Sequence, residues 1–189
     1  MKKSLGAEIF VLPTPAWVVG SYDGEGKANA MTIAWGGVCC SKPPCITVSL
    51  RQATYTYECI LERQAFTVNI PSEAHVAQVD YFGMVSGRNV DKFAATGLTA
   101  VKAGSVDAPS IEEFPLVLEC ALLHTIEIGL HTQFIGEIKD VRADEAVLVD
   151  GVPVMDRVLP VLYGTGAKSY FKSGPYLGKA FSIGRGFMK

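Results

Sequence analysis

Short apolar runs separated by turn-forming clusters dominate the first half of the chain. Residues 17–22 and 28–35 are apolar and rich in β-branched side chains, and Asp23-Gly24-Glu25-Gly26-Lys27 lies between them. That order predicts a β-hairpin. After the break at Lys42-Pro43-Pro44, residues 46–50 alternate branched apolar with small polar side chains, as a strand with one buried face does. Residues 66–70 predict a further strand. Between these two, Tyr57, Ile60 and Leu61 recur at helical spacing within 54–63, which predicts a short crossover helix. A second short helix is expected after Pro71. Ser72 is its N-cap, Val76, Val79, Tyr81 and Phe82 are its apolar contacts, and Gly83 is its end.

The second half reads as strand after strand. Residues 116–128 are rich in apolar side chains, Gly129-Leu130 interrupts them, and 132–141 continue as a long partner. Residues 147–149 and 158–163 predict shorter strands. Many closely spaced strands with few helices predict a mainly β fold, an antiparallel closed or nearly closed barrel, because closure removes aggregation-prone edges. No linker, repeat or low-complexity stretch divides residues 1–189, so one domain is expected.

Composition narrows the class. The 189 residues are 49% hydrophobic and 19% charged, which excludes a disordered chain. The high apolar content makes a buried subunit interface one plausible sink. Seventeen Lys plus Arg against nineteen Asp plus Glu give a net charge of −2, which argues against a dedicated nucleic-acid binder and against a polybasic membrane surface. Glu8, Pro13 and Pro15 interrupt any signal-peptide core, and no window approaches the ~18 apolar residues of a membrane helix. A soluble cytoplasmic protein is expected. The five cysteines, Cys39, Cys40, Cys45, Cys59 and Cys120, are odd in number and contain no CxxC pair. They read as free, plain buried thiols with neither metal-site nor dithiol spacing.

Hydrolase and nucleotide motifs are absent: there is no GxSxG, HExxH, P-loop or GxGxxG, and His75, His124 and His131 are far apart. What remains are polar clusters at predicted strand ends: residues 29–32, residues 49–54, and Ser86-Gly87-Arg88 followed by Asp91-Lys92-Phe93. Small residues with accessible backbone, hydroxyls and cations form the combination that binds phosphate. Spacing alone does not name the ligand.

Three strings then resemble a known family: Asn29-Ala30-Met31-Thr32-Ile33-Ala34-Trp35, Pro43-Pro44 with the strand at 46–50 and Thr54, and Phe66-Thr67-Val68-Asn69-Ile70-Pro71. Phe82-Gly83, Ser86-Gly87-Arg88, Asp91-Lys92-Phe93 and Phe134-Ile135-Gly136-Glu137 follow in the same order. Together they resemble the flavin reductase-like FMN-binding split-barrel family over nearly the whole chain. Gly36-Gly37-Val38-Cys39-Cys40 and Ile126-Glu127-Ile128-Gly129-Leu130-His131-Thr132 are most similar to its small electron-carrier branch.

The resemblance implies a homodimer of six-stranded Greek-key split β-barrels, each holding FMN non-covalently near the subunit interface. Asn29, Ala30, Met31 and Thr32 would then lie along the isoalloxazine and ribityl, with Trp35 close to the ring system. Ser49, Leu50, Arg51, Ala53 and Thr54 would line the ribityl and phosphate, and Ser86, Gly87, Arg88 and Lys92 would complete the phosphate end. Because flavin itself carries the electrons, no side-chain nucleophile is needed. His131 either faces the flavin or substrate pocket or is a hydrogen-bonded structural residue. Nicotinamide-using members commonly carry Gly-Asp-His where this chain has Gly129-Leu130-His131. The resemblance therefore implies an electron carrier between redox protein partners, ferredoxin among them. An NAD(P)H-dependent flavin or ferric reductase is the alternative.

Overall fold

The structure, a computed structural model, describes residues 1–188. Strands β1 (Thr14–Pro15), β2 (Trp17–Tyr22) and β3 (Ala28–Ile33) open the fold. β2 and β3 form the expected hairpin, with Trp17 opposite Ile33 and Tyr22 opposite Ala28. The turn is held by the Asp23 carboxylate, whose Oδ1 accepts from the Glu25 N–H at 3.0 Å and the Lys27 N–H at 2.8 Å. Gly26 adopts the left-handed backbone that such a turn requires, with φ +83°. β3 stops at Ile33, two residues short of the apolar run.

β4 (Gly36–Ser41) and β5 (Pro44–Arg51) follow as a second hairpin, then helix α1 (Tyr55–Arg63) and β6 (Ala65–Ile70). Helices α2 (Val76–Met84) and α3 (Lys92–Thr96) precede two three-residue strands, β7 (Ala100–Lys102) and β8 (Pro109–Ile111). β9 (Leu116–Ile128) and β10 (His131–Ala143) form a hairpin of thirteen-residue strands. The chain then adds β11 (Leu148–Val149), β12 (Val152–Pro153), α4 (Met155–Val158), β13 (Val161–Gly164) and β14 (Ser169–Lys172).

The main sheet has seven antiparallel strands in the order β3-β2-β6-β9-β10-β5-β4, one more than the resemblance implies. Its two edges, β3 and β4, are consecutive in the chain and joined only by residues 34–35. The sheet must therefore curl until its edges approach. The Ser49 N–H donates to the Trp35 carbonyl at 2.8 Å, which ties the joining segment to β5. The result is an antiparallel barrel with an unpaired seam, a split barrel rather than a closed one.

Alternation along β2 shows why one strand serves two cores. Val19 joins the barrel interior with Ile46, Val48, Leu50, Phe66, Val68 and Phe134. Val18 points the other way, to a second cluster with Ala30, Val79, Phe82, Phe93, Ile111 and Phe114. α2 and α3 supply that outer cluster. Burying Phe66 and Phe134 completely stabilises the fold by about 1.5–3 kcal/mol each.

Four local expectations are corrected. Ser72 makes no side-chain cap; a 3₁₀ turn at Glu73–His75 comes first, and α2 runs through Gly83 to Met84. Gly83 is not among the glycines with positive φ, so it has no reason to stop the helix. Residues 147–149 contain the end of a 3₁₀ turn and only two strand residues. Val158 ends α4, and Leu159 at φ 49° reverses the chain before β13 begins at Val161. Short segments of this kind carry too few residues for periodicity to decide. β13 overlaps the expected strand at 158–163, but the pattern carries no signal for β1, whose partner β13 is distant in sequence, or for β7, β8 and β14, which are too short for alternation to show.

Candidate functional site

Two adjoining clefts open beside the barrel seam, and both are lined by Gly83 and Met84 at the end of α2. The smaller, about 190 Å³, is walled by Met31 of β3, residues 53–56 at the start of α1, residues 82–87, and Lys92. The larger, about 420 Å³, is walled by residues 32–35, Arg51, Asp80, Tyr163 and Tyr170, together with Ala16. Strand ends, two helix ends and the β13-β14 hairpin thus converge on one groove.

The smaller cleft gathers groups whose chemistry suits an anion. Thr54 takes extended backbone just before α1 and gives no side-chain cap; its Oγ1 donates to the Arg51 carbonyl at 2.8 Å. The Tyr57 N–H donates to the Thr54 carbonyl at 3.2 Å, while the Tyr55 and Thr56 amides of this nine-residue helix have no side-chain cap at the cleft wall, where the helix dipole favours negative charge. Ser86 Oγ accepts from the Arg88 N–H at 3.3 Å, which leaves its hydroxyl proton available. Lys92 is buried, and its Nζ donates to the carbonyls of Ala30 at 2.8 Å and Phe82 at 3.0 Å. One of its three protons has no acceptor among these. Burial lowers the Lys92 pKa to about 8, so a nearby anion would favour its charged form.

Gly87 closes the smaller cleft. A Cβ there would run into Asn29 Oδ1 and come within 3.1 Å of Tyr55 Cδ1. Asn29 is itself buried; its Nδ2 donates to Thr56 Oγ1 at 2.8 Å, while Oδ1 has no hydrogen-bond partner. Tyr55 is fixed by donating to Asp23 Oδ2 at 2.9 Å, and burial, with that bond second, pushes its phenol up to about 12. Arg88 lies 5.1 Å over the Tyr55 ring, pairs with Glu58, and donates to the Ala53 carbonyl at 3.3 Å. It clamps the segment before α1 to the loop after α2.

The larger cleft is aromatic. Trp35 shares it with Tyr163 and Tyr170, whose ring centroids are 5.5 Å apart. Tyr170 donates to Asp80 Oδ1 at 2.9 Å, and burial followed by that bond holds its phenol well above the usual value.

Among the residues singled out from the sequence, Met31, Ala53, Thr54, Ser86, Gly87 and Lys92 meet at the smaller cleft. Thr32, Trp35 and Arg51 meet at the larger. Asn29 and Ala30 stand directly behind this surface, Asn29 against Thr56 and Ala30 as an acceptor for Lys92. Ser49 acts through its backbone, and the Leu50 side chain belongs to the barrel core. Arg88 braces the smaller cleft from outside. His131 is half-buried at the start of β10, opposite Arg51 in the ladder, and lines neither cleft. Sequence reasoning missed Tyr55, Thr56, Asp80, Tyr163 and Tyr170; nothing in their local pattern distinguishes them from ordinary helix and strand residues. The expectation of buried thiols holds for Cys45, Cys59 and Cys120 and is corrected for Cys39 and Cys40, which are exposed. They lie on an edge strand with a neighbour on one side only.

An uncapped helix start, a free hydroxyl proton and a buried ammonium suit a phosphate, and an aromatic groove alongside suits a flat ring system. This donor set fits a phosphorylated flavin, and the fold and site define a flavin-binding redox protein. The chain belongs to the flavin reductase-like domain family, which matches residues 10–170. Among solved structures it is similar to the flavoredoxin of Desulfovibrio vulgaris (Miyazaki F), at 53% identity and a TM-score of 0.94 over 97% of this chain and 100% of that one. Flavoredoxin from Methanosarcina acetivorans matches at 33% identity and a TM-score of 0.92, with both chains fully covered. The NADPH-flavin oxidoreductase of Streptomyces viridifaciens is 32% identical over 69% of this chain and 67% of its own. Among the described residues, no helix is long and apolar enough to cross a membrane.

Proposed function

We propose that this protein binds FMN and carries electrons between redox protein partners, working as a homodimer in the cytoplasm. The observation that supports FMN best is the size and chemistry of the smaller cleft. At about 190 Å³, with the α1 amides, Ser86 and Lys92 around it, it suits one terminal phosphate. Bound there, the flavin would supply the capacity to take up and release electrons. The chain's own part is to hold the phosphate with uncapped amides and Lys92, and to flank the ring system with Trp35, Tyr163 and Tyr170. These side chains exclude water from the faces they cover. Chromatography of the cofactor released on denaturation tests this: FMN supports the reading, and FAD or a protein that cannot be reconstituted with FMN defeats it.

The carrier role is supported by similarity to two flavoredoxins and by Leu130, which is 63% exposed where nicotinamide-using relatives commonly carry an acid. Hydride transfer needs a pocket that stacks a second ring against the flavin, whereas an electron carrier needs only an accessible flavin edge and a docking surface. The alternative, an NAD(P)H-dependent flavin or ferric reductase, draws on the Streptomyces relative. Anaerobic stopped-flow bleaching decides between them. Reduced ferredoxin should reduce the bound flavin quickly and NADH or NADPH slowly. Fast turnover with NADH and none with ferredoxin would establish the reductase.

The dimer is supported by the stagger of the β9-β10 hairpin. β6 pairs with β9 only as far as Ala121, and the Leu122 N–H still donates to the Gln64 carbonyl at 2.9 Å, so residues 123–128 have β10 as their one neighbour. Ile126, Ile128 and Leu130 are exposed there. A second copy would cover them.

A further inference from the structure

We propose that Cys40 and Cys45 are a redox-active thiol pair that closes into a cross-strand disulfide when the protein meets a low-molecular-weight disulfide. The local sequence C-S-K-P-P-C has none of the familiar dithiol spacings. The β4-β5 hairpin nevertheless sets Cys40 directly opposite Cys45, one rung from the two-residue loop at Lys42-Pro43. Opposed residues of an antiparallel pair put their side chains on the same face, with Cα atoms about 4.5–5.5 Å apart. A disulfide spans Cα separations of about 4.4–6.8 Å. The Cβ atoms must close by roughly 1 Å to bond. β4 can supply that movement, because it is the edge of the sheet and its register with β5 already shifts between Val38 and Cys40.

The two thiols differ in a way that suits sequential exchange. Cys40 is exposed and Cys45 is buried, and both are free. Burial, reinforced by Cys39, Cys40 and Glu137 and opposed by Lys139, raises the Cys45 pKa. Cys40 is therefore the attacking group and Cys45 the resolving one. The Cys40 thiolate attacks one sulfur of the small disulfide, its S–S bond breaks, and one thiolate leaves. Cys45 Sγ then attacks Cys40 Sγ of the mixed disulfide, and the second small thiol departs with the Cys45 proton. Two protein thiols are oxidised, and one small disulfide is reduced to two thiols. Cys39 is the extra residue at the register shift; it shares Cys45 with Cys40 and has no rung of its own, which makes it the competing partner.

The test is incubation of the flavin-bound protein with oxidised glutathione, alkylation, and non-reducing mass spectrometry with peptide mapping. The expected product has lost two hydrogens and carries a Cys40–Cys45 link. Cys39→Ala should still form that link. Cys45→Ala should instead accumulate a glutathione adduct on Cys40. A wild-type product that carries only glutathione adducts, a Cys39–Cys45 link, a Cys39–Cys40 link, or no change would overturn the proposal. The wild-type measurement stands even if Cys45→Ala folds poorly.

Discussion

Lys92 Nζ lies 2.8 Å from the carbonyl oxygen of Ala30, a residue 62 positions earlier in the chain. The contact holds an ammonium against β3 at the wall of the smaller cleft, so one bond fastens α3 to the sheet and sets a charge beside the proposed phosphate. Lys92→Met is expected to weaken FMN by about 1.5–3 kcal/mol, the scale of a hydrogen bond to a charged group, and to leave riboflavin nearly unaffected. Fluorescence titration of the apoprotein with both ligands checks this. Equal losses would make Lys92 a strut of the fold alone.

The same lysine predicts a pH dependence. Its pKa in the free protein is about 8, and a phosphate anion binds the protonated form. FMN affinity should be steady below that value and fall as pH rises through it, while riboflavin affinity does not follow. An FMN affinity still level relative to riboflavin at pH 9.5 would contradict this.

Arg51 lines the larger cleft and not the smaller one, although the family resemblance sets it near the phosphate. Arg51→Ala should therefore weaken FMN and riboflavin by similar factors, in contrast to Lys92→Met. A loss confined to FMN would return Arg51 to the phosphate.

At Gly87, an added Cβ meets Asn29 Oδ1. Gly87→Ala should destabilise the apoprotein by about 1–3 kcal/mol, the usual cost of overpacking, and weaken FMN as well. Because the sharpest clash is with the Asn29 side chain and Tyr55 is the lesser one, Asn29→Ala in the same molecule should recover part of the thermal stability. Strictly additive losses in a denaturation series would show that the strain lies elsewhere.

The exposed end of the β9-β10 hairpin carries Ile128, 58% exposed. Ile128→Asp should shift the protein from dimer to monomer in sedimentation velocity, since an apolar contact would then bury an unpaired carboxylate. A wild type that sediments as a monomer would remove the dimer from the proposal.

Periodicity was sufficient for the long elements. The β2-β3 hairpin announced itself through Asp23-Gly24-Glu25-Gly26-Lys27, and β9 and β10 through apolar runs broken at Gly129-Leu130, because turn chemistry and strand alternation are local properties. The polar clusters around Asn29, Thr54 and Ser86 were also visible in the sequence, together with the phosphate chemistry their residue types allow. Tertiary structure alone decided how they are arranged. The barrel curls because β3 and β4, neighbours in the chain, became opposite edges of one sheet. That closure brings the start of α1, the end of α2 and Lys92 to one cleft and carries Tyr163 and Tyr170 to the next. It also committed Leu50 to the core and set Cys40 across from Cys45. Burial, strand register and the partner of a buried ammonium depend on contacts between residues far apart in the chain, and no local pattern of side chains encodes them.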